Sequence, residues 1–468
     1  MRYLIAVFLL LSSLTVNAQD RYLIDWDAVG EETLQHLSDL VKINTTNPPG
    51  GETQVAEYLQ AVLDAEGIDS QFYALDPERA NLVARIKGNG SKRPILIMGH
   101  TDVVGVQADR WTEEPFSGLR RDGWLYGRGS LDDKDSVAAG LMVMLMLKRY
   151  GVELDRDIIF LAEAGEEGTP EVGINFMVEH HWDAIDAEYC LAEGGSGILE
   201  EQGVTVVGVQ TTEKMVRRAT LVARGTAGHG SVPRLDNPVA AIARAVARAD
   251  AWQTEMRLNE TTKVYFERLA TISEPEDAFR YENVGNPEES AAIQQQFLEN
   301  FPYHYSLLRT SVVPTIINAG FRKNVIPSEA TAMLDIRMLP DEDVDAFYAK
   351  LAEVIDDPNV EIVPEKIYRP AAPPSGIDNA MFESIERVAG KMYPDAIVLP
   401  TMSTAATDMS QVRAKGVPAY GIGPIRSLEE LNSGNGAHSD NERVSEEAMV
   451  DFLRFLWTII IDVAATEQ

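Results

Sequence analysis

Cysteine is almost missing from this 468-residue chain, where Cys190 stands alone. No intramolecular disulfide and no thiolate metal cluster can form within one chain, so any metal site must be built from His and carboxylates. Basic residues are scarce too, 41 Lys plus Arg against 73 Asp plus Glu, for a formal charge of −32. A surface of that sign repels phosphate backbones and anionic membranes, which argues against nucleic acid as a ligand. Solubility is the plain account of the charge. Long apolar runs are lacking: Met449 to Ala464 is interrupted by Asp451, Arg454 and Asp462 and reads as an amphipathic terminal helix. The GxSxG, HExxH, P-loop and GxGxxG patterns are absent, and a triad hydrolase, a helix-borne zincin and a nucleotide enzyme lose support with them.

What is present is a globular composition, 45% hydrophobic and 24% charged, at a length that suggests about two or three domains. Residues 1–18 read as a secretory signal, with Arg2 as the positive start, an apolar stretch from Leu4 to Leu14 and a small-residue cleavage site at Val16-Asn17-Ala18. The expectation is a secreted or periplasmic protein with no membrane attachment after cleavage. Helices then alternate with buried strands. Strands are expected at Asn81–Lys87, Pro94–Gly99, Asp157–Ala162 and Ala187–Ala192, and an apolar helix at Lys134–Tyr150 whose methionines are core. That alternation predicts an α/β layer fold with a mixed, largely parallel sheet flanked by helices. From about 212 the pattern becomes that of a small α+β module, with strands at Val216–Arg224 and Ala330–Arg337 and helices at Asn237–Asp250 and Asp341–Ile355. The stretch 252–312 looks polar and irregular, and RPAAPPSG from Arg369 looks like a linker. The predicted organisation is one α/β domain in two parts, 19–211 and 369–468, split by a module at 212–368.

The residues that could carry chemistry lie just after buried strands. They are His100-Thr101-Asp102, then Asp132-Asp133 behind Gly127-Arg128-Gly129, then Glu166-Glu167 between Gly165 and Gly168, and Glu193 before Gly194-Gly195. A late Gly-rich loop adds His438. Each has a bland alternative, such as Asp caps at a helix start or an exposed acidic loop. Jointly they are two His and several acids at the strand exits where open α/β sheets bind ligands. That is enough for two divalent ions sharing a carboxylate, about 3.5–4 Å apart. Nitrogen and oxygen donors fit Zn, with Mn or Co as alternatives. His36, His180, His181 and His304 are read as surface or packing residues.

The motifs HTDVV (100–104), WTEEPFSG (111–118), GWLYGRGSLDDK (123–134), AGEEG (164–168) and LAEGG (191–195) resemble one family. GTAGHGSVP (225–233), NVIP with DIRMLP (324–340) and GAHSDNE (436–442) follow in the same order. The family is the dinuclear zinc exopeptidases and amidohydrolases of aminoacylase, carboxypeptidase G, carboxypeptidase S and succinyl-diaminopimelate desuccinylase. The resemblance implies a zinc-exopeptidase catalytic domain with an inserted ferredoxin-like lid and dimerisation domain. It implies that Asp132 bridges two ions, completed by His100 and Glu193 on one side and by Glu167 and His438 on the other. Asp102 would orient His100, and Glu166 would be the general base. His229, in the inserted module, would reach the neighbouring subunit of a homodimer and stabilise the oxyanion. Arg337 would clamp the substrate carboxylate, with structural pairing to Asp335 or Glu329 as its alternative, and Asn324 would line the same pocket. Ala405-Ala406 departs from the glycines that many relatives carry there, which puts substrate identity in doubt.

The expected activity is hydrolysis of an amide bond next to a free carboxylate, by a carboxypeptidase or dipeptidase acting on small peptides. Aminoacylase-type cleavage of N-acyl amino acids is the alternative. A non-catalytic metal-binding protein with the same fold is a third reading, disfavoured by the intact Glu166 and ligand set. Aminopeptidase action is disfavoured by Arg337, since a carboxylate clamp serves the C-terminal side of a substrate.

Overall fold

The computed structural model describes residues 22–466, so the expected leader at 1–18 lies outside the described residues. A ten-stranded sheet forms the centre. Its path runs Ser70–Tyr73, Asn81–Ile86, Ile158–Glu163, Ile95–His100, Tyr189–Ala192, Ala419–Gly421, Gly203–Glu213, Ser196–Glu200 and Ile425–Ser427, with Ile397–Ser403 pairing Gly203–Glu213 off that path. Ile95–His100 is parallel to both Ile158–Glu163 and Tyr189–Ala192, and Ala419–Gly421 is parallel to Tyr189–Ala192. Their carboxyl ends therefore share one edge, with His100 opposite Glu163 in register. The first two strands are short apolar runs buried along their length because helices cover both faces. The helix Lys134–Arg149 is buried from Lys134 to Leu147, including Met142, Met144 and Met146. It packs with the helices Trp26–Lys42 and Glu446–Ala464 in one core. Among the described residues no helix is long and apolar enough to cross a membrane.

The module has its own antiparallel sheet, ordered Ser311–Ala319, Glu329–Met338, Met215–Arg224, Val360–Pro364. Along Glu329–Met338 burial alternates, so Ala332, Leu334 and Ile336 face the helices Pro238–Ala251 and Val344–Ile355 while Asp335 and Arg337 stand on the open face.

Two expectations are corrected. The stretch 252–312 is not irregular: it carries four helices, Glu260–Ala270, Pro275–Asn283, Ser290–Asn300 and Pro302–Leu307. Their polar outer faces hide an aromatic stack in which Phe266 lies 5.7 Å from Tyr281 and 5.9 Å from Phe297. His304 packs edge-on against the same rings. This cluster joins Leu399 and Met402 of the central sheet, so a segment inside the module in sequence packs on the catalytic layer. The second correction concerns RPAAPPSG. Ser375 donates to the Ala419 carbonyl at 2.8 Å and accepts the Ala419 N–H at 2.9 Å, and Arg369 turns inward. The stretch is therefore pinned to the catalytic unit at Ser375 and Arg369.

Candidate metal centre

His100 ends its strand with an imidazole that is 1% exposed. Its Nδ1 lies 3.0 Å from the Asp102 carbonyl and 3.6 Å from the Asp102 carboxylate, so residue 102 orients the ring with its backbone as well as its acid. A proton on Nδ1 leaves Nε2 as the free lone pair. That Nε2 lies 3.0 Å from Asp132 Oδ1 and 4.0 Å from Glu193 Oε2. On the other side of the same carboxylate, His438 Nε2 is 3.1 Å from Asp132 Oδ2 and 2.8 Å from Glu167 Oε1. One aspartate thus stands between two imidazoles and offers one oxygen to each. His438 reaches this position from a left-handed backbone, φ +62°, which a non-glycine residue seldom adopts.

Without cations such a set is electrostatically overloaded. Hydrogen bonds to Asp132 and Glu167 push His438 up to about 10. Burial, and then repulsion from Glu166, drives Glu193 well above the carboxylate range. Positive charge between each imidazole and its acids would relieve both, and the donors are the nitrogen and oxygen set that divalent cations take. His100, Asp132 and Glu167 hold donor atoms within 4.8 Å of one another, as do His100, Asp133 and Glu193. Asp133 is already committed, since its Oδ2 accepts the His100 backbone N–H at 3.1 Å.

A buried shell holds the acids in place. The Asp102 carboxylate accepts the backbone N–H groups of Glu166 and Glu167, both at 3.0 Å, and the Asn47 amide at 2.8 Å, which ties the Glu-Glu loop to the His100 strand. Burial works against this carboxylate, but His100 and these donors keep it below its ordinary value. Glu442, four residues after His438, accepts from Gly129 N–H at 3.1 Å, Leu131 N–H at 2.9 Å and Arg128 at 2.5 Å. The Asp132 loop and the His438 loop are thereby one unit. Gly129 sits at φ +85°, and a Cβ there would lie 2.7 Å from Val103 Cγ1. The Asp132–Asp133 peptide is cis.

Glu166 is buried and faces a partner that sequence reasoning missed. Arg369 Nη2 lies 2.5 Å from Glu166 Oε1 and 3.0 Å from its carbonyl, while Nη1 lies 2.7 Å from Asp408 Oδ1. Burial pushes the Glu166 carboxyl up to about 8 against the pull of Arg369. A carboxyl raised toward neutrality is suited to accept a proton and return it.

A model of the peptidase family M20/M25/M40 matches residues 96–462. The chain belongs to this family. Among curated relatives, the probable carboxypeptidase S-like 2 of Dictyostelium discoideum is 31% identical over 337 residues, which is 70% of this chain and 64% of that protein. The human N-fatty-acyl-amino acid synthase/hydrolase PM20D1 is 27% identical, over 81% of this chain and 75% of that one. A probable succinyl-diaminopimelate desuccinylase of Staphylococcus epidermidis is also 27% identical, over 85% of this chain and 91% of that one. The fold matches the M20 metallo-carboxypeptidase Sso-CP2 of Sulfolobus solfataricus with TM-score 0.70 at 20% identity, over 92% of this chain and 99% of that one. Human carnosine dipeptidase 1 follows with TM-score 0.65 at 16% identity, over 94% and 97%. The chain thus has the M20 fold, an α/β unit with an inserted module, and its relatives are metallohydrolases of that family.

The site residues expected in the module stand apart from the cluster. His229 is exposed in the two-residue strand Gly228–His229, pairs in register with Val325, and turns Nδ1 to the Ser231 hydroxyl at 2.7 Å. Asn324 is its neighbour, with a carbonyl that accepts the Gly230 N–H at 2.8 Å. Of the two readings of Arg337, the pairing with Asp335 is the one formed, at 2.6 and 3.2 Å, with a third contact at 3.4 Å to the Thr404 carbonyl. Asp335 wins because it is two residues away on the same face of the same strand. None of the three touches the His100–Asp132–His438 cluster among the described residues.

Proposed function

We propose that this protein holds two divalent cations, Zn foremost, and hydrolyses an amide bond next to a free carboxylate, as a carboxypeptidase or dipeptidase of small peptides. The observation that carries the reading is the Asp132 carboxylate shared between His100 and His438, with Glu193 and Glu167 flanking and Glu166 buried beside them. Bound there, the cations would polarise the scissile carbonyl and acidify a water. His100, Asp132 and Glu193 would hold one, and Glu167, His438 and Asp132 the other. Glu166 takes the proton of the attacking water and delivers it to the leaving amine nitrogen. Arg369 fixes the carboxylate while it does so, and the enclosed position of Glu166 keeps bulk water from competing.

The module supplies the rest through a second copy. Ser311–Ala319 is a free edge of its sheet and exposes Val313, Ile316 and Ile317, which is the kind of edge that pairs with its own twin. In a homodimer built on that edge, His229 of one subunit donates to the oxyanion formed in the other. Export through residues 1–18 suits the scavenging of peptides outside the cell. Hydrolysis of N-acyl amino acids is the second reading, favoured by the similarity to the human N-fatty-acyl-amino acid hydrolase.

A panel of dipeptides and N-acetyl amino acids, assayed with Zn, Mn or Co, tests this. Faster cleavage of the dipeptides is expected. Preference for the acylated set would replace the first reading by the second, and no turnover with any metal would leave a binding protein.

A further inference from the structure

A cavity of about 220 Å³ opens on the Glu193 side of the cluster. Its walls include Asp132, Glu193, Gly195, Ile422 and Ala437, and the one cation among its lining residues is Arg426. Arg426 sits in the strand Ile425–Ser427, in register with Ile198. Its Nη1 lies against Gly436, two residues before His438, where an added Cβ would come within 3.3 Å.

The arginines around the site are otherwise spoken for. Arg128 is held by Glu442, Arg337 by Asp335, Arg369 by Glu166 and Asp408, and Arg413 by Glu213. The Arg426 side chain forms no hydrogen bond and no ion pair with any described residue. Glu430 and Asp135 reach it only through their fields. Glu430 is occupied as the cap of the next helix, where it accepts the Ser427 N–H at 2.8 Å. A half-buried guanidinium that no protein acceptor holds is available to pair with an anionic ligand. Its planar fork matches a carboxylate in two hydrogen bonds. In a chain of charge −32, a carboxylate ligand needs a local cation of this kind.

We propose that Arg426 anchors a carboxylate of the substrate in this cavity, beside the proposed metal ligands. The inference rests on the amide-hydrolase reading above. The carboxylate can belong to the leaving C-terminal residue or to a dicarboxylic acyl group, and the chemistry of recognition is the same.

Wild type and Arg426→Gln are compared on the fastest substrate of the panel, on its C-terminal amide, and on the succinyl analogue of that amide. The expected result is a fall of about 10- to 100-fold, carried by KM, in the kcat/KM ratio of one carboxylate substrate over the neutral amide. The substrate that loses its advantage identifies the source of the carboxylate. Arg426→Lys keeps the charge but not the fork and should fall between the two; it carries the test if the Gln variant does not fold. A variant that keeps the wild-type ratio overturns the anchor alone. A wild type that prefers neither carboxylate over the amide overturns the free-carboxylate part of the proposed function and the anchor with it.

Discussion

In the catalytic unit the chemistry-bearing side chains are bound to one another, buried at His100 and Glu166, half-buried at Asp132 and Glu193, and exposed at His438. His100, Asp132, Glu167 and His438 touch in series, and Asp102 and Glu442 lock the loops that carry them. In the module His229 is exposed and bonds the hydroxyl two residues on, and Arg337 is paired within its own strand. On the proposed reading the first region works within one chain, whereas the second needs a partner. The difference teaches where function depends on folding and where it depends on assembly.

The sharpest way to break the comparison is Asp132→Ala. Removing the shared carboxylate should abolish both metal binding, measured by elemental analysis, and turnover. Glu166→Gln should cut kcat by roughly 10²–10⁴ while metal content stays at the wild-type level; loss of metal with it would move Glu166 from proton transfer to ligation. His229→Ala should cost about 10²–10³ in kcat. Mixing inactive Glu166→Ala subunits with inactive His229→Ala subunits should then recover part of the rate, and verified subunit exchange without recovery would sink the trans arrangement.

Two smaller effects sharpen it. Burial holds His304 down to about 4, below its ordinary 6.5. The folded state therefore refuses a proton that the unfolded chain takes, and the stability due to neutral His304 is intact above pH 6.5 and lost as pH falls toward 4. That loss is at most about 3 kcal/mol. His304→Gln should flatten the decline of melting temperature over this range if the helices 260–307 unfold with the catalytic layer. Arg369→Lys retains a charge but not the fork between Glu166 and Asp408, and about a tenfold fall in kcat with little change in KM is expected. A change in KM alone would mean that Arg369 serves binding instead.

The catalytic strands and the five proposed ligands were legible because their signals are local. An apolar run ends, glycines open the backbone, and a His or an acid stands at the exit, as at His100 and Glu193. Glu442 lay within the quoted GAHSDNE motif, but nothing local says that its carboxylate caps Gly129 and Leu131. Arg369 was invisible for the same reason: its partner is 203 residues away, and the prolines after it look like a linker. The helices of 252–312 hid behind polar outer faces, because a stack such as Phe266, Tyr281 and Phe297 shows no period until the three helices meet. Arg337 carried two readings: the strand period already put Asp335 on its face, but not that the two side chains would meet.

Glu442 and His438 come from the last thirty-odd residues, yet they close a centre whose other members lie between 100 and 193. A cut in the backbone before residue 438 would remove these two contacts together with the helix Glu446–Ala464, whose apolar face belongs to the central core, so the candidate ion cage and the fold beneath it would be lost in one stroke.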